Sequence, residues 1–432
     1  MHELANELNT ALKGTIVDEM FSAVGRRMFF PKGIVAQAAE AKKKATRFNA
    51  TIGMATTHGK PMHLSDIYSQ FAENALTPGQ IFAYAPGGGD PELREVWKTE
   101  MIRKNPSLQG KAFSLPIVTG GLTHGLSLLA QLFFEEGDTL VVPDLAWDNY
   151  ELIFAHQVNA TIMTFPFYTE SGAFNVEALK ETLASIPGKK ARLLLNFPNN
   201  PTGFSPSKDE MRRTKDALVE LAQGGMKLMV ISDDAYFGLF FEEETEKESL
   251  FASLCDAHEN IFAVKADAAT KEEMVWGFRI GFVTYGCKAL KAEHYDALNK
   301  KTLGIIRSTV SNCDRPGQSL VLKAMRDGKM YHADKAAAFT EMEKRYRIIK
   351  TALVKHEGSE LLKPYPFNSG YFMAFRCKGS SEVLRKHLLE SYQIGCINIA
   401  DTTLRLAYCS VECDKIEELV DLVYQAAGEA WN

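Results

Sequence analysis

The sequence predicts an α/β protein, with a large domain on a mostly parallel sheet covered by helices and a smaller α+β domain beside it. Two observations carry that expectation. From about Gly79 onward, strand-like apolar runs alternate with amphipathic helical ones. Such alternation belongs to a parallel sheet with both faces covered. From about Cys313 the pattern becomes helix-rich and then offers two strand candidates, SGYFMAFRC and TLRLAYCSV. A chain of 432 residues suits one large and one smaller domain rather than a single small core. The divisions expected are an N-terminal arm and part of the small domain over 1–65, a large domain over 66–312, and a small domain over 313–432.

In chain order the large domain opens with the strand LPIVTGG and the helix LTHGLSLLAQLFFEEG. The strand DTLVVPD and a helix around WDNYELIFAHQ follow. Then come ARLLLNFP as a strand, KDEMRRTKDALVELAQGG as a helix, and MKLMVISDD and NIFAVKADAAT as strands. Each strand candidate is a short apolar run rich in Leu, Ile and Val, as strands buried on both faces are. After ARLLL the chain reads NFPNNPTG. Proline cannot donate to a sheet ladder, and Asn and Gly favour tight turns, so this stretch is a loop leaving a strand end.

Composition narrows the function. The formal net charge of −5 leaves no electrostatic footprint for nucleic acid or an anionic membrane. The basic cluster AKKKATR at 41–47 reads as a solvated helix face. Seven cysteines are scattered through the second half with no CxxC pair and no histidine at zinc spacing, so reduced thiols and no metal are expected. Cys409 and Cys413 in CSVEC could form a metal or redox pair, but the apolar alternation around them favours buried free thiols. The N-terminus has no signal-like apolar core, and LSLLAQLFF is too short to span a bilayer. A soluble, cytoplasmic protein is the expectation.

Ligands of open α/β sheets gather at the carboxyl ends of the strands. There the sequence puts Gly120 and Gly121, Trp147, Asn200, Asp233 and Tyr236, and Lys271. A set of structural loops has no need of a lysine, an aspartate, a tyrosine and an asparagine at one edge, so their convergence points to a site.

These segments resemble the fold-type I pyridoxal-phosphate enzymes, in particular the class I/II aminotransferases of the aspartate and aromatic branch. NNPTG is similar to the family's Asn-Pro-Thr-Gly loop and DDAYFGL to its Asp-x-x-Tyr segment. TKEEMVWGFRIG resembles its cofactor lysine with arginine eight residues on and glycine two further. YAPGGGDPELREVW resembles the Tyr-x-x-x-x-Gly segment, and NSGYFMAF with TLRLAYCSV the C-terminal strand pair that carries the carboxylate-binding arginine. The motifs follow family order from about residue 80 to 410.

The resemblance implies pyridoxal 5'-phosphate as cofactor, bound to Lys271, which would also shuttle the substrate Cα proton. Lys265 is the competitor; it lies inside the apolar run without the spacing to Arg279. Asp233 would pair with the pyridine nitrogen, and it rather than Asp234 has Tyr236 three residues on. Tyr236 and Asn200 would bond the ring's phenolic oxygen, and Trp147 would stack on the ring. Gly121, Leu122 and Thr123 would offer backbone donors to the phosphate, with Arg279 as its cation. Arg405 would hold the substrate α-carboxylate, with Asn200 and Gly53 also at the substrate.

Tyr84 would reach the phosphate of a partner subunit, which implies a homodimer with composite sites. Arg307, at the family's spacing ahead of Ser311 and Asn312, would clamp a distal carboxylate from the partner, or else be structural. One departure stands out: Ala268 occupies the place of the usual phosphate-binding serine, with Thr270 as a possible substitute. The implied activity is amino-group exchange between an L-amino acid, aspartate or aromatic first, and a 2-oxo acid such as 2-oxoglutarate. A lyase or decarboxylase with the same cofactor is the alternative, and a non-catalytic effector-binding module a more distant one.

Overall fold

A computed structural model describes residues 1–31, 33–327 and 330–431. The strands in chain order are β1 (Phe48–Asn49), β2 (Thr56–Thr57), β3 (Lys60–Pro61), β4 (Ile117–Thr119), β5 (Thr139–Pro143), β6 (Thr161–Phe165), β7 (Lys190–Asn196) and β8 (Lys227–Asp233). They continue with β9 (Ile261–Ala268), β10 (Gly281–Gly286), β11 (Leu362–Pro364), β12 (Phe372–Cys377), β13 (Ile394–Gly395), β14 (Ile397–Ala400) and β15 (Thr403–Ala407).

The large sheet has the order β4-β10-β9-β8-β7-β5-β6. Neighbours from β9 through β6 run parallel, and β10 lies antiparallel to both β9 and β4. Successive strand residues point to opposite faces, which is why Leu193 and Leu195 of β7 enter one core while Leu194 enters the other. The sheet therefore divides two apolar layers, as its continuous Leu-Val-Ile runs require. Two of its strands, β6 and β10, were not apparent from the alternation: β6 is an edge strand with exposed Thr161 and Thr164, and β10 follows a turn rather than a helix.

Helix starts follow local chemistry. Ser207 and Glu210 form a reciprocal capping box at the head of the helix Lys208–Gln223, satisfying two otherwise orphaned donors. Asp90 accepts from the backbone of Glu92 and Leu93 ahead of the helix Pro91–Lys104, with proline at its first position. In the loop after β7, Asn199 Oδ1 accepts from the amide and hydroxyl of Thr202. A Cβ at Gly203 would lie 2.0 Å from the Phe372 carbonyl oxygen, so only glycine lets this loop press against β12.

The second sheet is antiparallel, in the order β11-β12-β15-β14. The N-terminal segment packs beside it: β1 pairs with β13 in a separate two-stranded parallel sheet, and the helix Ile34–Lys44 packs on β13 and β14. The helix Pro316–Asp327 instead packs on Pro91–Lys104, and its Leu320, Val321 and Ala324 share a core with Leu93 and Trp97. The change of packing partner falls beyond the 312/313 division, within the 24-residue helix Tyr331–Val354. All seven cysteines are free, six of them buried. No helix among the described residues is long and apolar enough to cross a membrane.

Candidate active site

At the carboxyl ends of β7, β8 and β9 lies a cavity of about 340 Å³. Its polar lining brings together Asn200, Asp233, Tyr236, Thr270, Lys271, Arg279 and Arg405, with Leu122, Thr123, Trp147 and Gly53 around them.

Asp233 ends β8 and is 2 % exposed. Tyr150 Oη donates to its Oδ2 at 2.6 Å, and the Ala235 amide and Asn196 Nδ2 donate to Oδ1 at 3.1 and 3.3 Å. No cation lies at ion-pair distance among the described residues, and burial pushes this carboxyl up to about 6. Asp234 faces the other way, accepting from Ser249 Oγ and paired with Lys265. Lys265 is held between Asp234 and Asp267, away from the cavity, so the competing lysine is fully engaged.

Lys271 sits on the single helical turn Ala269–Glu272 that follows β9. Its Nζ lies 4.6 Å from the centre of the Tyr236 ring. Surrounding protein strips water from the ammonium and lowers it to about 8, with Asp233 opposing the shift and Arg279 adding to it. Tyr236 itself is pushed up by burial.

The helix Leu122–Phe133 points its N-terminus at the same space. Gly121 caps it at φ +86°, and a Cβ there would sit 2.3 Å from the Arg279 guanidinium. The Gly121 amide, expected as a donor to the phosphate, is instead taken by the Thr119 carbonyl at 2.8 Å; the first-turn amides from Leu122 on, beside an arginine, form the anion cradle. Ala268 stays within β9 as the cap of the following turn, and Thr270, 6 % exposed, lines the cavity.

Arg405 comes from β15. Its Nη1 donates to Asn200 Oδ1 at 2.8 Å and its Nη2 to the Thr51 carbonyl at 2.9 Å, with the guanidinium 4.3 Å over the Phe372 ring. It is 2 % exposed, and its Nε has no partner among the described residues. Gly53 lies close by; a Cβ there would be 2.8 Å from the Phe372 ring. Trp147 stands edge-on to Tyr150 at 5.5 Å.

Tyr84 and Arg307 lie outside this cavity. Tyr84 is 90 % exposed, and Arg307 projects from the exposed last turn of the helix Ala292–Thr309 toward Ser311. Several lining residues escaped the sequence. Tyr150 carried a usable signal, three residues after Trp147, one turn on. Asn196 was hidden inside NFPNNPTG, where it read only as part of the turn. Ile34, Val35 and Ala38 on an N-terminal helix, with Ile52, gave none, because tertiary packing alone brings them here.

These residues fit pyridoxal 5'-phosphate. The buried carboxylate of Asp233 has no cation at ion-pair distance among the described residues, and a protonated ring nitrogen would be one; the amide cradle with Arg279 suits a phosphate, and Lys271 offers an amine. The fold and this constellation define a pyridoxal-phosphate enzyme of the aminotransferase type.

The comparisons make this specific. Residues 54–423 match the family model "Aminotransferase class I and II", and the chain belongs to that family, whose cofactor is pyridoxal 5'-phosphate. It is 26% identical over 379 residues, 84% of this chain and 88% of the relative, to a probable aspartate/prephenate aminotransferase of Aquifex aeolicus. An aspartate aminotransferase of Pyrococcus horikoshii is 25% identical over 83% of this chain and 86% of its own. Among solved structures, an aminotransferase from Anaerococcus prevotii superposes with a TM-score of 0.83 at 23% identity, covering 94% of this chain and 99% of that one. Aspartate aminotransferase from Thermus thermophilus with maleate gives 0.74 at 21%, covering 95% and 99%. These likenesses in structure concern the fold. The chain is a pyridoxal-phosphate-dependent aminotransferase.

Proposed function

We propose that this chain exchanges the amino group between aspartate or an aromatic L-amino acid and 2-oxoglutarate in the cavity between β15 and the ends of β7 to β9. What carries the reading is one arrangement: Arg405, buried and with no carboxylate at ion-pair distance among the described residues, opens onto the same cavity as Lys271 and Asp233. A buried unpaired guanidinium is costly, and a substrate α-carboxylate offsets that cost through a two-pronged bond.

When bound, the pyridoxal group supplies an aldehyde and an electron-withdrawing ring. Asp233 holds the proton on the ring nitrogen, and Tyr150 and Asn196 keep its carboxylate oriented. The amides of Leu122 and Thr123 with Arg279 would bind the phosphate, Gly121 leaving room for the guanidinium; Thr270 would add a hydroxyl where Ala268 has none. Trp147 would cover the ring, and Tyr236 and Asn200 would bond its phenolic oxygen. Lys271 takes and returns the Cα proton, and an ammonium lowered to about 8 leaves a working share of free amine near neutral pH. Arg405, steadied by Asn200 and by the backbone beside Gly53, orients the substrate.

Ile34, Val35, Ile52 and Phe372 give the mouth an apolar wall that suits an aromatic side chain. A distal carboxylate would be met by Arg307 of the partner subunit, in a cytoplasmic homodimer in which Tyr84 of the partner subunit also reaches the phosphate. The relatives named for aspartate and prephenate support this choice of substrates.

The test is to incubate the protein with a panel of L-amino acids and 2-oxoglutarate and to measure glutamate formed. Aspartate or aromatic donors should give glutamate; carbon dioxide released without glutamate would sink the reading. Followed as separate half-reactions, Arg307→Ala should cost roughly two to three orders of magnitude on the dicarboxylic substrates, aspartate and 2-oxoglutarate, and spare aromatic donors. Equal losses on both would leave Arg307 a structural residue.

A further inference from the structure

Lys271 is followed by two glutamates, Glu272 and Glu273, and both turn away from the cavity into the protein. The Glu273 side chain is fully buried and that of Glu272 is 9 % exposed. Lys104, from the helix Pro91–Lys104, pairs with Glu272. Lys335, near the start of the helix Tyr331–Val354, reaches both, at 3.2 Å to Glu272 and 2.8 Å to Glu273. Tyr331 Oη donates to Glu273 at 2.7 Å.

The turn these groups grip has short backbone ties: the Ala269 amide donates to the Ile280 carbonyl at 3.1 Å, and the Glu273 and Val275 amides close onto Ala269 and Thr270. It spans four residues, Ala269–Glu272, and one helical turn is a costly nucleus with nothing to propagate it. Met274 just beyond has φ +55°, a left-handed conformation that a side chain disfavours. Two buried carboxylates side by side add to the cost unless something uses them.

The helix that grips this turn also holds the opposite wall of the cavity. Arg345, ten residues or about 15 Å further along, donates to the carbonyls of Thr56 and Cys409. Cys409 closes the segment that begins at Arg405, and Arg405 is bonded to Thr51. One helix thus bonds the turn that carries Lys271 at one end and, at the other, the backbone of the two segments that carry Thr51 and Arg405.

We propose that Lys335, with Tyr331, is a positioning residue for catalysis: by clamping Glu272 and Glu273 it fixes the turn that carries Lys271 at a set distance from Arg405. The inference rests on the assignment of Lys271 as the proton-moving lysine. Lys335 contributes nothing to substrate affinity, because Arg405 is held separately, by Asn200 and the Thr51 carbonyl. Misplacing a reacting group by about 1 Å can cost as much as a hundredfold in rate, so the loss should fall on kcat.

The test uses the holoenzyme. Lys335→Met keeps the stem and removes the cation; kcat should fall roughly ten- to a hundredfold with KM within about twofold, and the visible circular dichroism of the bound cofactor should change as its attachment shifts. Lys335→Arg, which can still reach both carboxylates, should recover most of the rate and the dichroism. The proposal fails if Lys335→Met lowers Tm yet keeps kcat within about twofold and the dichroism unchanged, or if arginine rescues no better than methionine. Should Lys335→Met not fold, Tyr331→Phe removes one bond to Glu273 and keeps the ring; a several-fold fall in kcat at constant KM is expected, and an unchanged kcat overturns the proposal. Borohydride reduction of each variant followed by peptide mapping should still find the cofactor on Lys271. A cofactor on another lysine would sink the assignment of Lys271, and this inference with it.

Discussion

Asp233 and Lys271 are shifted in opposite senses by the same cause, loss of water around a charge, and the shifts set how stability depends on pH. With Asp233 raised to about 6, the folded cofactor-free chain keeps a proton that the unfolded chain gives up. This group's contribution therefore falls as pH rises from about 4 to about 6. Lys271, lowered to about 8, releases a proton that the unfolded chain retains, so its contribution rises with pH between about 8 and 10.5. A pyridinium nitrogen pairs with the carboxylate of Asp233, not with the acid. The rise in Tm on adding pyridoxal 5'-phosphate should accordingly be larger at about pH 7.5 than at about pH 5, and Asp233→Asn should flatten the difference; an equal or larger gain at the lower pH would contradict the pairing. At this scale the sequence was most legible where chemistry and spacing coincide: Lys271 stands eight residues before Arg279, and Asp233 three before Tyr236. Tyr150 offered only its place one turn after Trp147, a weaker signal, because a tyrosine in a helix reads equally well as core packing and only the fold brings its hydroxyl to Asp233.

Elements aim these residues. Every parallel strand from β7 to β9 ends at the cavity, and the helix Leu122–Phe133 begins there with its first-turn amides unpaired among the described residues, so the anion cradle follows from topology. Gly121 is the tightest point. A methyl group would require φ +86° of an alanine and would collide with Arg279. Gly121→Ala should displace Arg279 from the phosphate and weaken cofactor affinity by roughly ten- to a hundredfold, the worth of one lost charge-assisted bond. Titration of the cofactor-free protein measures this; unchanged affinity would show that the phosphate lies elsewhere. The strands lining the site were visible as apolar runs ending in polar residues. β10 was not, because it is reached through the short segment after Lys271 and breaks the strand-helix alternation that marks its neighbours.

In the whole molecule, the two sheets meet across the site, with Arg405 on one and Lys271 beside the other. The sequence announced two domains through its change of pattern near Cys313, yet the helix Pro316–Asp327 packs with the large domain, because its apolar face complements that of Pro91–Lys104. Sequence order alone does not reveal which core a helix joins. Phe71, Phe82 and Tyr84 are exposed in the single chain, an apolar surface of the kind that partner subunits cover. Light scattering should give twice the mass of one chain, and Tyr84→Phe should weaken cofactor binding without dissociating the dimer. A monomer with full activity would contradict the composite site.

The most direct test of the central claim, that Lys271 carries the cofactor in this cavity, is reduction of the holoenzyme with borohydride, proteolysis, and mass mapping of the modified lysine. The expected result is a single modified peptide containing Lys271, absent from Lys271→Ala. Modification at Lys265, or at any lysine outside the cavity, would contradict it.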